Sequence, residues 1–321
     1  MSQQIEQWLE RLDEILQYHS FESAEEAEHW IREQAKERTV EEFLAECATP
    51  KAKLRALLQQ AEAADDPQVA QRLFADAIAM AEQQMGVEIA AAKLDPELWA
   101  EEPASYYLHA MMGLGASCEM ASEFSQAKVH YQQVLELDSS DPWQARTKLF
   151  SLAVMEGYLS EAEELLAQVP DDDSTQVCYH RALLQFLLAA DEAEQRYQQS
   201  GDVEEASAWQ DATANRLLEV ALAQNPYVAK IMGHPRAFEL TCPLEVEQGS
   251  PEEAVVIMFT TAHLWLSDFL ALSWMLAALK DSSITSATYD AAWQDVLSQI
   301  GGEPSDEERF EFLRSLEEMD L

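Results

Sequence analysis

Glycine and proline are scarce in this chain of 321 residues, at 9 and 11, and cysteine is scarcer still, at 4. So few turn-formers argue against a sandwich of many short strands or a glycine-rich phosphate-cradling fold. The cysteines, Cys47, Cys118, Cys178 and Cys242, form no Cys-x-x-Cys pair, and no disulfide framework is expected. Positive charge is lacking too: 20 Lys and Arg stand against 60 Asp and Glu, a net charge of −40. Nucleic-acid backbones are held by cations that neutralise phosphates, so direct binding of DNA or RNA is not expected. The first residues carry Glu6, Glu10, Asp13 and Glu14, which a signal or transit peptide would not tolerate, and the expected location is the cytoplasm. What is abundant is apolar residues, 48% of the total, enough for a core. The length fits about two domains or one extended repeat array.

The apolar spacing is helical throughout. Ile5, Trp8, Leu9, Leu12, Ile15 and Leu16 line one face of a 3.6-residue helix, and Ala27, Trp30 and Ile31 begin the next after a Ser23–Glu26 capping box. Val40, Phe43, Leu44 and Cys47 make a third stretch. Thr49-Pro50, Asp66-Pro67, Asp95-Pro96 and Asp141-Pro142 each put a capping residue before a proline whose missing N–H costs nothing in the first turn, so four helix starts are predicted there. Near the C-terminus, Tyr289, Trp293, Val296, Leu297 and Ile300 form a stripe ended by Gly301-Gly302. Ser305 and Glu308 then offer a further capping box.

The segment Leu108 to Asp141 resembles one tetratricopeptide repeat. Leu114 and Gly115 take the small-residue pair of the first helix, Phe124 the aromatic near the turn, and Ala127, Tyr131 and Leu135 the positions of the second helix. Met111, Cys118 and Ser122 replace the family's usual Trp, Tyr and Gly. The pattern restarts at Trp143, with Leu149, Gly157, Ala162, Leu166 and Pro170, and a third unit begins at Val177 and ends at Leu217 to Pro226. Pro67 to Gln84 reads as a helix of an earlier unit. A lone repeat cannot bury its own apolar face, so stacked units with atypical ends are expected. The resemblance implies an all-α, antiparallel helix-hairpin solenoid, a right-handed superhelix with an N-terminal cap over 1–66, an array over 67–232 and a C-terminal cap over 233–321.

A second block, from Asn225, is similar to suppressor-of-tumorigenicity-seven-like repeat proteins. It runs NPYVAK, a proline-containing linker, then GSPEEAVVIMFTTAHLW with Gly249, Glu253, Ala254 and Trp265. It implies architecture only. The apolar run Ala254 to Leu279 is long enough to cross a bilayer. Asp268 near its middle, the absence of basic residues before it and Ser267-Asp268 as a turn and cap favour buried helices, as a pair or as one long helix.

No local signature of catalysis occurs: there is no HExxH, GxSxG, P-loop or dinucleotide fingerprint. Cys178-Tyr179-His180 and the pair Cys118 and His130 read as packing rather than as a ligand set, and His234-Pro235-Arg236 as an exposed linker. Adjacent glutamates such as Glu163-Glu164 point about 100° apart on a helix and cannot share one substrate atom. No cofactor and no metal are expected.

The tetratricopeptide resemblance implies binding of a peptide or partner helix on the face formed by the first helix of each unit. In this sequence that face is His109, Met112, Ala116 and Glu119, then Gln144, Thr147, Ser151 and Val154. Met112 and Ala116 cannot clamp a terminal carboxylate as the chaperone-tail subclass does. The reading is a non-catalytic interaction scaffold whose acidity favours a basic protein or peptide. The alternatives are an acidic mimic of nucleic acid regulating a basic nucleic-acid-binding protein, acidity as salt adaptation, and a helical enzyme assembled around His109, His130 or His180.

Overall fold

The computed structural model of the chain describes residues 5, 7–9, 11–15, 23–47, 49–85, 104–200, 211–243, 245–281, 291–302 and 304–318. Among them every regular element is a helix and no strand is present. In chain order these are α1 (Leu12–Ile15), α2 (Ala24–Glu37), α3 (Val40–Cys47), α4 (Pro50–Glu62), α5 (Pro67–Met85), α6 (Ala104–Met120), α7 (Phe124–Leu137) and α8 (Ala145–Met155). They continue as α9 (Leu159–Ala167), α10 (Thr175–Ser200), α11 (Ala212–Gln224), α12 (Tyr227–Met232), α13 (Pro251–Leu266), α14 (Phe269–Asp281), α15 (Ala291–Gln299) and α16 (Asp306–Glu318).

Most starts carry the cap that the sequence marks. The hydroxyls of Ser23 and Thr49 accept the N–H groups of Glu26 and Ala52, Pro50 and Pro67 open their helices, and Ser250, not marked beforehand, caps α13 by accepting the Glu253 N–H. Ser305 and Glu308 close a reciprocal box, with the Ser305 N–H donating to the carboxylate at 2.7 Å and the Glu308 N–H to the hydroxyl at 3.2 Å. Asp141-Pro142 behaves differently. Asp141 takes a left-handed backbone (φ 57°), and its carboxylate reaches past the proline to accept the N–H groups of Ala145 at 2.6 Å and Arg146 at 3.1 Å. The helix therefore starts at Ala145, not at the proline. Asp95-Pro96 lies outside the described residues, as does Tyr289 of the C-terminal stripe.

The chain divides into two compact units, Met1–Leu149 and Phe150–Leu321, with the division inside α8. The boundaries expected at 66/67 and 232/233 fall just before α5 and just after α12.

In the first unit, Trp8, Trp30 and Phe43 pack ring against ring at 5.2–5.8 Å, with Ile15 and Ile31 buried beside them. Farther along, α6 is sandwiched between α5 and α7. Two glycines allow it. A Cβ on Gly113 would stand 2.3 Å from the Phe74 ring of α5, and one on Gly115 would stand 2.5 Å from the Tyr131 ring of α7. Close helix approach here is paid with side-chain bulk on α6 alone.

The second unit is built on α9 to α14 and closed by α15 and α16. Tyr179 meets Trp265 edge to face, Phe186 stacks on Trp274 at 4.7 Å, and Tyr227 packs on Trp293 at 5.1 Å. The apolar run 254–279 is two helices, α13 and α14, separated at Ser267-Asp268, where the Asp268 carboxylate accepts the Ala271 N–H at 2.9 Å. Among the described residues no helix is long and apolar enough to cross a membrane.

One polar knot ties this unit together. A single oxygen of Glu253 accepts from the Thr175 hydroxyl at 2.9 Å, the Asn225 amide at 2.9 Å and the Gly249 N–H at 2.8 Å. Asn225 also donates to the Ser250 carbonyl and accepts the Tyr227 N–H, while its own carbonyl receives the Tyr179 hydroxyl at 2.8 Å. Asn225 is fully buried, and its polar groups are matched. Gly249 sits at φ 79°, the left-handed conformation that glycine tolerates. Asn225, Gly249 and Glu253, all from the block beginning at NPYVAK, thus meet at one point.

Two hairpin turns share their geometry across a 35-residue offset. After α6, Ser122 takes φ 61° and the Glu123 N–H reaches back to the Cys118 carbonyl at 2.8 Å. After α8, Gly157 takes φ 76° and the Tyr158 N–H reaches back to the Ala153 carbonyl at 2.8 Å. Ala127 and Ala162 are both fully buried at matching places in the following helices.

Candidate functional site

The residues singled out on α6, His109, Met112, Ala116 and Glu119, share a helical stripe with spacings of three and four residues, and Met120 falls on the same stripe four residues after Ala116. All but Met120 are half-buried, and Met120 is 65% exposed. The α5 and α7 contacts fix the orientation of α6, since Gly113 and Gly115 face those two neighbours.

The polar members of the stripe are already engaged. His109 Nε2 stands 2.7 Å from Glu62 Oε1 of α4, and its ring stacks on Trp143 at 5.4 Å. Glu119 pairs with Lys148 of α8 at 3.4 Å. The other Glu119 oxygen, Oε1, and the Tyr131 hydroxyl are buried beside one another. Burial foremost, and the Glu119 charge after it, push the Tyr131 hydroxyl well above its ordinary value, so it stays neutral. Between the two ion pairs lie Met112 and Ala116, which offer no charge. The arrangement is an uncharged pad whose polar rim is engaged by side chains of the chain itself. It can hold apolar side chains and has nothing to clamp a carboxylate.

On α8 and the turn before it, Gln144 is exposed in a left-handed conformation (φ 57°) and Thr147 is half-buried. Ser151 belongs to the second unit and is 4% exposed, with its hydroxyl unpartnered, while Val154 is half-buried there. Thus His109, Met112, Glu119, Gln144 and Thr147 present surface, and Ser151 presents none.

The remaining reactive side chains are spread out. Cys118 and Cys178 are buried free thiols, and burial pushes both up, which disfavours the thiolate that nucleophilic chemistry needs. His180 is buried against Phe150 at 4.4 Å with Nε2 unpartnered, and burial holds it down to about 3. Burial also lowers His130. His234, read as part of an exposed linker, is instead 4% exposed: its Nδ1 accepts the Arg236 N–H and its Nε2 meets the Gly302 carbonyl at 3.0 Å. Among the described residues no three histidine, cysteine, aspartate or glutamate side chains gather to hold a metal ion. The contacts of Glu62 and Trp143 with His109 carried no signal in the sequence, because they are non-local.

Comparison with family models, with curated proteins and with solved structures finds no match to this chain.

Proposed function

We propose that the chain is a non-catalytic interaction scaffold, built from tetratricopeptide-like hairpins and working in the cytoplasm, that binds a peptide or partner helix along α6. The carrying observation is the hairpin turn repeated at a 35-residue offset, with left-handed Ser122 and Gly157 and the same five-residue back-bond in each. Recurrence of one turn at that spacing supports a repeat architecture, whose units expose their first helices. On α6 the element on offer is Met112 and Ala116, half-buried between the His109–Glu62 and Glu119–Lys148 pairs, with the exposed Met120 just beyond Glu119. A flexible methionine adapts to the shape of apolar anchors. With a net charge of −40, the protein attracts partners carrying basic residues around those anchors.

Affinity capture from the native host tests this, using the wild-type chain beside Met112→Glu and Ala116→Glu. The expected result is a specific partner that both variants lose and that elutes as salt rises. A set of captured proteins identical for all three baits overturns the assignment to α6.

A further inference from the structure

We propose that the hollow between α9, α10 and α11 is a docking groove for a basic amphipathic helix of another protein. It lies wholly within the second unit and uses none of the α6 residues. Its volume is about 340 Å³, and Leu166, Ala167, Pro170, Leu184, Leu188 and Leu217 make its walls and floor. That is the small end of the roughly 300–1,000 Å³ range of binding sites. It has room for a pair of aliphatic side chains presented one helical turn apart, and not for a large cofactor.

Two charged residues line the hollow, and they differ in availability. The Arg181 guanidinium is spent on the chain itself: it donates to the Asp172 carbonyl at 2.7 Å and to the carbonyls of Val169 and Pro170 beyond the end of α9. Glu163 is exposed on the rim. Glu164, Asp171 and Asp173, exposed on α9 and in the connection to α10, carry the same sign. An incoming segment therefore meets a largely apolar trough, with Gln185 and the carbonyl-bonded Arg181 in its wall, and with exposed acidic side chains outnumbering that one cation on α9 and the connection after it. A helix with aliphatic residues on its inner face and arginine or lysine beside them matches that trough. A second copy of this chain is disfavoured, because each brings a charge of −40.

The test uses the full chain and a fluorescent alanine-based helical peptide with two leucines four residues apart and three arginines flanking them. Anisotropy titration at low salt should show saturable binding. Leu188→Glu should weaken it at least tenfold, and Glu163→Lys should weaken it several-fold while improving binding of an analogue with glutamates in place of the arginines. Circular dichroism checks that Leu188→Glu is folded; if it is not, the charge preference of the surface variant Glu163→Lys decides alone. Absence of binding to the wild type, or equal binding to Glu163→Lys and wild type, overturns the proposal. So does binding lost only in Met112→Glu, which would move the peptide to α6. A sedimenting dimer that Leu188→Glu dissolves would name a second copy as the occupant and would also overturn it.

Discussion

The Tyr131 ring lies across the backbone of Gly115, so close that a methyl group added there would stand 2.5 Å from Cε1. Tyr131 is fully buried and cannot swing outward without opening the contact between α6 and α7. Gly115→Ala is therefore expected to destabilise by about 1–3 kcal/mol, the usual cost of overpacking. Gly157→Ala is the comparison: nothing lies within 4 Å of the added carbon, and only the φ of 76° resists it, at about 1 kcal/mol. Urea unfolding of the two variants separates crowding from backbone strain.

Ser122 holds the same left-handed place as Gly157 but carries a side chain, at φ 61°. Ser122→Gly should raise stability by about 0.5–1 kcal/mol, since relief of the backbone exceeds the added freedom of the unfolded chain. A lower urea midpoint for this variant would refute the equivalence of the two turns.

His180 gives the second unit an acid-sensitive element. Its folded value is held to about 3, against an ordinary 6.5. Between those values the unfolded chain binds a proton that the folded chain refuses, so stability is present above about 6.5 and is lost as the pH falls. The slope is at most about 1.4 kcal/mol per pH unit. His180→Phe keeps a ring against Phe150 and should flatten this part of the melting-temperature profile relative to wild type. Parallel profiles would contradict the burial assigned to His180.

The knot around Glu253 should be strongly non-additive. Asn225→Ala removes two donated hydrogen bonds and one accepted one, all in a buried place, at an expected cost of about 2–4 kcal/mol. Glu253→Ala should cost a similar amount, and the double variant clearly less than the sum, because the two share a bond. Additive losses in a double-mutant cycle would break the network reading.

Local chemistry was legible in the sequence and remote pairing was not. Ser23, Thr49 and Ser305 mark their helices because a cap needs only the next three residues. Gly115, Ala127 and Tyr131 were readable as contact positions through the tetratricopeptide resemblance, which assigns small and aromatic residues to the places where two helices touch. Asp141-Pro142 misplaced a start by three residues: the carboxylate reaches forward from a left-handed residue, a geometry that composition does not signal. His109 stood out as a surface residue, but Glu62 lies 47 positions earlier in the chain and no periodicity links them. Ser151, placed on a binding face by analogy with Ala116, is enclosed instead.

The shared Glu253 oxygen also sets an order of events during synthesis. Thr175 leaves the ribosome 78 residues before the acceptor it needs, and Asn225 leaves 28 residues before it. A nascent chain that stops short of Glu253 holds both donors with no carboxylate to receive them. The middle of the protein must therefore wait for a late glutamate before it can set, and truncations ahead of that point should yield soft, protease-sensitive fragments.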